Sequence, residues 1–421
     1  MDHFTYRDGV LHAEDVPLPR IAEAVGTPFY VYSSATLARH YTVFAEAFQG
    51  MDALVCFATK TNGNKAVLNL LARLGAGADV VSAGEMHHAI AAGIPAERIV
   101  FSGVAKTREE LAAALAAGIF QINVESVPEL ETLSQVATAM GCVAPVSLRV
   151  NPDVAADTHA KIATGRKENK FGVEWTNAHA VYKHALGLPG IAVKGVAVHI
   201  GSQILDLAPF RAAFQRVRDL VLLLRADGIN LERVDLGGGL GIPYHRDDPK
   251  SPPPADYAAM VKEVLGDLGV TLVAEPGRLI AGNAGMLVSK VIYVKEGATR
   301  SFLILDAGMN DLVRPAMYDA FHDILPVDEP APDAERTPID VVGPICETGD
   351  LFAKQRSLPA IPEGGLVAFA TAGAYGAVMA STYNGRPLVP EVLVKGDKFA
   401  VVRRRPTLEE MTALESLPDW D

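Results

Sequence analysis

Little in this 421-residue chain points away from a reducing, aqueous compartment. There are only three cysteines, Cys56, Cys142 and Cys346. An odd, low count excludes a disulfide framework. Basic residues are too few to balance the acidic ones, and the net charge is −12. That argues against non-specific nucleic-acid binding, although a local cationic pocket remains compatible with it. No unbroken apolar run reaches the length a membrane helix needs. The opening residues Met1-Asp2-His3-Phe4-Thr5-Tyr6-Arg7-Asp8 lack the apolar core of a secretory signal. No His, Cys or carboxylate cluster has metal-ligand spacing. These absences predict a cytoplasmic protein with no membrane partner, no nucleic-acid partner and no metal.

What is present is a large core, with 49% hydrophobic and 21% charged residues. The length favours two domains. Eight short runs rich in Val, Ile and Leu read as strands: Ala53–Ala58, Ala78–Ser82, Ile99–Ser102, Phe120–Val124, Val146–Val150, Gly195–Ile200, Arg233–Leu236 and Thr271–Glu275. They mostly lack alternation, as parallel strands covered on both faces do. Helical patterns lie between them, most clearly Asn64–Leu74, Ala83–Ala92, Lys106–Ala117, Ser126–Met140 and Phe210–Ala226. Ser82 and Glu85 have capping-box spacing, and Gly75, Gly93 and Gly118 stand where helices end. Eight strand–helix units predict an α/β fold, a (β/α)8 TIM-like barrel over 30–282, with a doubly wound sheet as the rival. After Gly277 the rhythm becomes all-β, with strands at Met286–Lys295, Phe302–Leu305, Asp340–Val342, Val367–Ala370, Glu391–Val394 and Phe399–Val402. Pro326–Pro332 reads as a surface loop. The second domain is expected over 283–421, joined by the N-terminal segment 1–29.

Active sites of such barrels form at the carboxyl ends of the strands. Lys60, behind the apolar run 54–58, is a cation at the end of a buried strand. A desolvated lysine becomes a nucleophilic amine able to form a Schiff base, whereas a snorkelling lysine is the structural alternative. The later strands deliver Asp79, Ser82 and Glu85, then Arg149 and Asn151, then His199, Gly201, Ser202 and Gln203. The last two bring Gly237-Gly238-Gly239 and Glu275-Pro276-Gly277-Arg278. Glycines after strand seven suit a phosphate, through backbone N–H groups that can approach it closely. Glu275 is either an ion-pair partner of Arg278 or the acceptor for a protonated pyridine nitrogen. His199 is either a core histidine or a flat ring for stacking.

Several stretches together resemble the fold-type III pyridoxal-phosphate (PLP) decarboxylases. They are Phe57-Ala58-Thr59-Lys60-Thr61-Asn62, Gly77-Ala78-Asp79 through Glu85, His199-Ile200-Gly201-Ser202-Gln203, Gly237-Gly238-Gly239 and Glu275-Pro276-Gly277-Arg278. Arg314-Pro315-Ala316-Met317-Tyr318-Asp319-Ala320-Phe321-His322 and Cys346-Glu347-Thr348-Gly349-Asp350 resemble the diaminopimelate decarboxylase branch. Thr164-Gly165 followed by Lys170-Phe171-Gly172 fits the same pattern. The match runs through nearly the whole chain. Thr61 stands where the family often has Ala, and Thr348 where it often has Ser; neither removes a group the chemistry needs.

The resemblance implies pyridoxal 5'-phosphate as cofactor, carried by Lys60. It implies Asp79, His199, Ser202, Gly238, Gly239, Glu275, Gly277, Arg278 and Tyr375 around that cofactor. Arg278, Arg314, Tyr318, Glu347 and Tyr375 would bind substrate, and Cys346 would return a proton to the α-carbon. Taken from residues alone, Arg314 reads as a surface arginine, Cys346 as a buried inert thiol and Tyr375 as a turn aromatic. The activity implied is decarboxylation of meso-2,6-diaminopimelate to L-lysine and CO2, the last step of lysine synthesis. A homodimer is implied too, with Cys346 and Glu347 supplied by the partner. The alternatives are an ornithine, arginine or lysine decarboxylase of the same fold, an alanine racemase, or a PLP-binding protein without turnover.

Overall fold

The computed structural model describes residues 2–154, 170–245, 248 and 250–420. Thr164 and Gly165 lie outside the described residues. The chain forms two compact units: Ala38–Pro243 with Asp247–Ile280, and Met1–Leu37 with Tyr244–Arg246 and Ala281–Asp421.

The first unit contains eight strands in a closed ring. They are β1 (Ala53–Ala58), β2 (Gly77–Val80), β3 (Ile99–Phe101), β4 (Gln121–Val124), β5 (Ala144–Asn151), β6 (Ile191–Ala197), β7 (Arg233–Asp235) and β8 (Thr271–Ala274). Each pairs in parallel with the next, and β8 returns to β1 through Leu272–Ala53 and Ala274–Val55. The doubly wound alternative is excluded by that closure. The apolar runs become strands because both faces are covered, and β1 is buried from Leu54 to Ala58.

Helices between the strands start and stop where their polar residues dictate. The helix Lys65–Arg73 is capped by Asn64, whose side chain accepts from the Ala66 N–H at 2.9 Å. Thr107 and Glu110 form a reciprocal capping box on Arg108–Ala117, worth about 1 kcal/mol. Gly118 ends that helix in the left-handed region, at φ 68°. The box expected at Ser82 is only half made. Ser82 Oγ accepts from the Glu85 N–H at 3.2 Å, but Glu85 Oε2 instead accepts from the Val81 N–H and the Thr59 hydroxyl.

The second unit is built on a mostly antiparallel sheet. Its central strand β9 (Gly285–Lys295) pairs on one side with the N-terminal strand Phe29–Ser33. The N-terminal segment therefore joins this unit. Phe29–Ser33 pairs in turn, in parallel, with Glu391–Lys395. Phe29, Val31, Met286, Val288, Ala368, Val392 and Val394 form its apolar core with residues from the first two dozen positions. The helix Arg314–Tyr318 spans a single turn. Among the described residues no helix is long and apolar enough to cross a membrane.

Candidate active site

The carboxyl ends of the barrel strands gather an ion pair, a histidine, a glycine cradle and buried acids. Parallel register of β1 with β2 sets Ala58 beside Asp79. Two residues later the chain turns, and Lys60 Nζ lies 2.7 Å from Asp79 Oδ2. The pair is asymmetric: Asp79 is fully buried, whereas the Lys60 side chain keeps 35% of its exposure. The amine is therefore held by a buried anion yet reachable. Asp79 Oδ1 has no hydrogen-bond partner.

His199 follows β6. Its Nδ1 accepts the Gly238 N–H at 3.2 Å, so Nε2 carries the proton of the neutral ring. Burial pushes its pKa well below the ordinary value, and the charges of Arg149 and Lys60 add to that. The ring is therefore neutral at neutral pH.

The glycines after β7 leave no room for side chains. A Cβ on Gly238 would lie 2.3 Å from the Glu275 carbonyl oxygen. One on Gly239 would lie 2.5 Å from the Gly201 carbonyl oxygen, and its φ of +114° excludes most L side chains. Gly277 is packed as tightly, with a Cβ position 2.5 Å from Thr61 Cγ2. Ser202 Oγ accepts from Arg278 Nη2 at 3.2 Å.

Glu275 is buried at the end of β8, and its Oε1 has no hydrogen-bond partner. Its pKa is raised well above the carboxylate range, first by burial, then by Asp235 and Asp79, while Lys60 opposes the rise. A buried acceptor left open asks for a donor. The protonated ring nitrogen of PLP is such a donor, the glycine cradle suits its phosphate, and Lys60 supplies the amine for its aldehyde. The residues present fit the cofactor.

The remaining named residues belong to the second unit. Arg314 is buried rather than a solvated surface arginine. Its Nε donates to His322 Nε2 at 3.3 Å, and its guanidinium lies 5.0 Å from the Tyr244 ring centroid. His322 Nδ1 is 2.9 Å from the Ala370 carbonyl oxygen, which sets that tautomer. The single helical turn puts Arg314 and the half-buried Tyr318 on one face. Cys346 is exposed, which overturns the buried-thiol alternative. Its N–H donates to Asn384 Oδ1 at 3.1 Å. Glu347 is exposed as well, and its Oε1 accepts from the Tyr383 hydroxyl at 2.5 Å. Tyr375 sits at φ 56° beside Gly376 and is half-buried.

A family profile described as "Pyridoxal-dependent decarboxylase, pyridoxal binding domain" matches residues 34–282. A diaminopimelate decarboxylase from Pseudomonas aeruginosa is 52% identical over 417 residues, with 99% of each chain covered. One from Zymomonas mobilis is 49% identical over 420 residues, again with 99% of each covered. The chain belongs to the diaminopimelate decarboxylase family. Among solved structures, the diaminopimelate decarboxylase from Helicobacter pylori complexed with L-lysine superposes with a TM-score of 0.90 at 41% identity. That match covers 94% of this chain and 99% of the other. As a member of this family the protein is a PLP-dependent decarboxylase.

Two groups at the strand ends escape a motif reading. Arg149 Nη1 donates to Glu125 Oε1 at 2.9 Å, and Glu125 also accepts the N–H groups of Gly103 and Gly172. The sequence places Arg149 at a strand end but assigns it no task; here it is the largest charge influence on His199. Asp235 is the second, fully within the barrel. Its signal is an acid closing a buried strand just before three glycines.

Proposed function

We infer that the protein decarboxylates meso-2,6-diaminopimelate to L-lysine and CO2. The observation that carries this reading is Lys60 paired with the buried Asp79 within a barrel whose Glu275 keeps an open acceptor. Membership of the diaminopimelate decarboxylase family supplies the substrate. When bound, PLP supplies an electron sink for the pair released as CO2 leaves.

The chain's residues do the rest. Asp79 orients the Lys60 amine. Glu275 would accept a hydrogen bond from the ring nitrogen and so hold its proton in place. Neutral His199 would cover the ring face without adding charge. Gly238, Gly239 and the backbone at Gly277 would hold the phosphate, with Ser202 and Tyr375 as hydroxyl donors. Arg278, Arg314 and Tyr318 take the substrate's carboxylates; guanidinium groups suit them because their donors match both oxygens. Glu347 takes the distal ammonium, and Cys346 returns a proton to the α-carbon. Meso-diaminopimelate has a carboxylate and an amine at its distal end, so it needs both kinds of anchor. Ornithine or lysine needs only the acid.

Cys346 and Glu347 are exposed on their own chain. We place them in the site of a second copy, so that a homodimer completes each centre. The negative charge and the low cysteine count support a cytoplasmic setting.

Purified protein with PLP should release lysine and CO2 from meso-diaminopimelate, and Lys60→Ala should release neither. Faster turnover of L-ornithine, L-arginine or L-lysine under the same conditions would overturn the substrate assignment while leaving the cofactor in place.

A further inference from the structure

Cys346 and Glu347 are exposed, yet the turn that carries them is tethered. Asp350, at 4% exposure, closes it from beneath. Its Oδ2 accepts the Ile345 N–H and its Oδ1 the Met309 N–H, both at 2.6 Å. Its own N–H donates to the Glu347 carbonyl oxygen at 3.1 Å. A Cβ on Gly343 would lie 2.5 Å from Asp350 Oδ2, so a side chain there would push the carboxylate out of place.

A second segment holds the same two residues from the side. Tyr383–Gly385 is a single tight turn, closed by the Gly385 N–H on the Thr382 carbonyl oxygen at 2.9 Å. Asn384 sits in it at φ 56°, ψ 26°, a left-handed conformation that asparagine tolerates better than most residues. Asn384 Oδ1 accepts the Cys346 N–H at 3.1 Å, and the neighbouring Tyr383 hydroxyl donates to Glu347 Oε1 at 2.5 Å. This turn is anchored to the loop that Asp350 holds. The Ser381 N–H donates to the Asn310 carbonyl oxygen at 2.8 Å, and Arg386 Nη2 donates to that of Asp306. The two turns therefore share one frame.

Tyr383 is 44% exposed, so its hydrogen bond to Glu347 competes with water and contributes little to folding. Its effect falls on Glu347 instead. A surface glutamate rotates about three side-chain bonds, and fixing it when a ligand arrives costs affinity. Tyr383 fixes it beforehand. The Glu347 hydrogen bond, and then its charge, raise the phenol above its ordinary value, so the hydroxyl stays a donor.

We propose that Tyr383 is a positioning residue acting through Glu347: it holds one carboxylate oxygen so that the other meets the substrate's distal ammonium. Asn384 fixes the backbone of the same turn by its hold on Cys346. The inference rests on the reading of Glu347 as the anchor for that ammonium.

The test compares Tyr383→Phe, Glu347→Ala and the double variant, each with PLP bound and its folding checked by circular dichroism. Tyr383→Phe should raise the KM for meso-diaminopimelate about three- to tenfold, low in the range for a hydrogen bond to a charged group because the pair is exposed. The loss should fall on KM rather than kcat, since the distal end is bound alike in the ground and transition states. Glu347→Ala should raise KM by about tenfold or more, and adding Tyr383→Phe to it should raise KM no further. The second readout is the inhibition constant of 2-aminopimelate, which keeps both carboxylates but has no distal amine. Tyr383→Phe should leave that constant unchanged.

An unchanged KM in Tyr383→Phe would overturn the proposal while the Glu347 reading stands. So would additive effects in the double variant, or an equal weakening of 2-aminopimelate, because each would mean that Tyr383 does not act through Glu347. An unchanged KM in Glu347→Ala would overturn the ammonium anchor itself, and the role of Tyr383 with it.

Discussion

At the scale of single residues, burial and partners decide what each group can do. A lysine after an apolar strand is visible in the sequence, but whether it snorkels depends on its neighbour. Asp79 is that neighbour, brought there by the parallel register of two strands. Arg314 shows the opposite case. Its surroundings in the sequence suggest solvent, yet it is buried against His322 and Tyr244. Lysine at this position would keep the charge but lose the planar fork and the packing. Arg314→Lys should raise the KM for meso-diaminopimelate by about tenfold or more, since a charge-assisted hydrogen bond is worth about 1.5–3 kcal/mol. Steady-state kinetics would check it, with circular dichroism to show that the variant is folded. A KM unaffected by the change would remove Arg314 from substrate binding.

At the scale of elements, the glycine turn after β7 is the most constrained piece. Gly239 combines a left-handed backbone with a carbonyl 2.5 Å from any added Cβ. Neither the backbone of Gly201 nor the turn can yield cheaply. Gly239→Ala should weaken PLP binding by more than tenfold, about 1.4 kcal/mol, while the barrel still folds; absorbance titration and circular dichroism would separate the two. The barrel strands were readable because each is a short apolar run covered on both sides. The helices Ala178–Leu186 and Pro254–Leu265 escaped notice, as did the strand Leu351–Pro359. That strand carries exposed Lys354 and Gln355 at its middle and pairs along one side only, with Arg336–Val342. Edge strands need little apolar pattern, so composition hides them.

At the scale of the whole molecule, the proposed sharing of Cys346 and Glu347 makes activity a property of two chains. Lys60→Ala and Cys346→Ala homodimers should each be inactive. Unfolded and refolded together in equal amounts, they should recover about a quarter of wild-type activity, because half the dimers would contain one intact centre of two. No recovery in mixed dimers would place both residues in their own chain's site.

The sequence by itself determined the barrel's strand count, the all-β character of the second unit and the motifs by which the chain resembles its family. These depend on local pattern and on motif order, both of which survive in one dimension. Closure of the ring, the burial of Arg314 and the exposure of Cys346 were decided only by tertiary structure. The first two depend on groups far apart in the chain packing together out of water, the third on a turn that nothing in its own chain covers, and no local pattern records which groups meet.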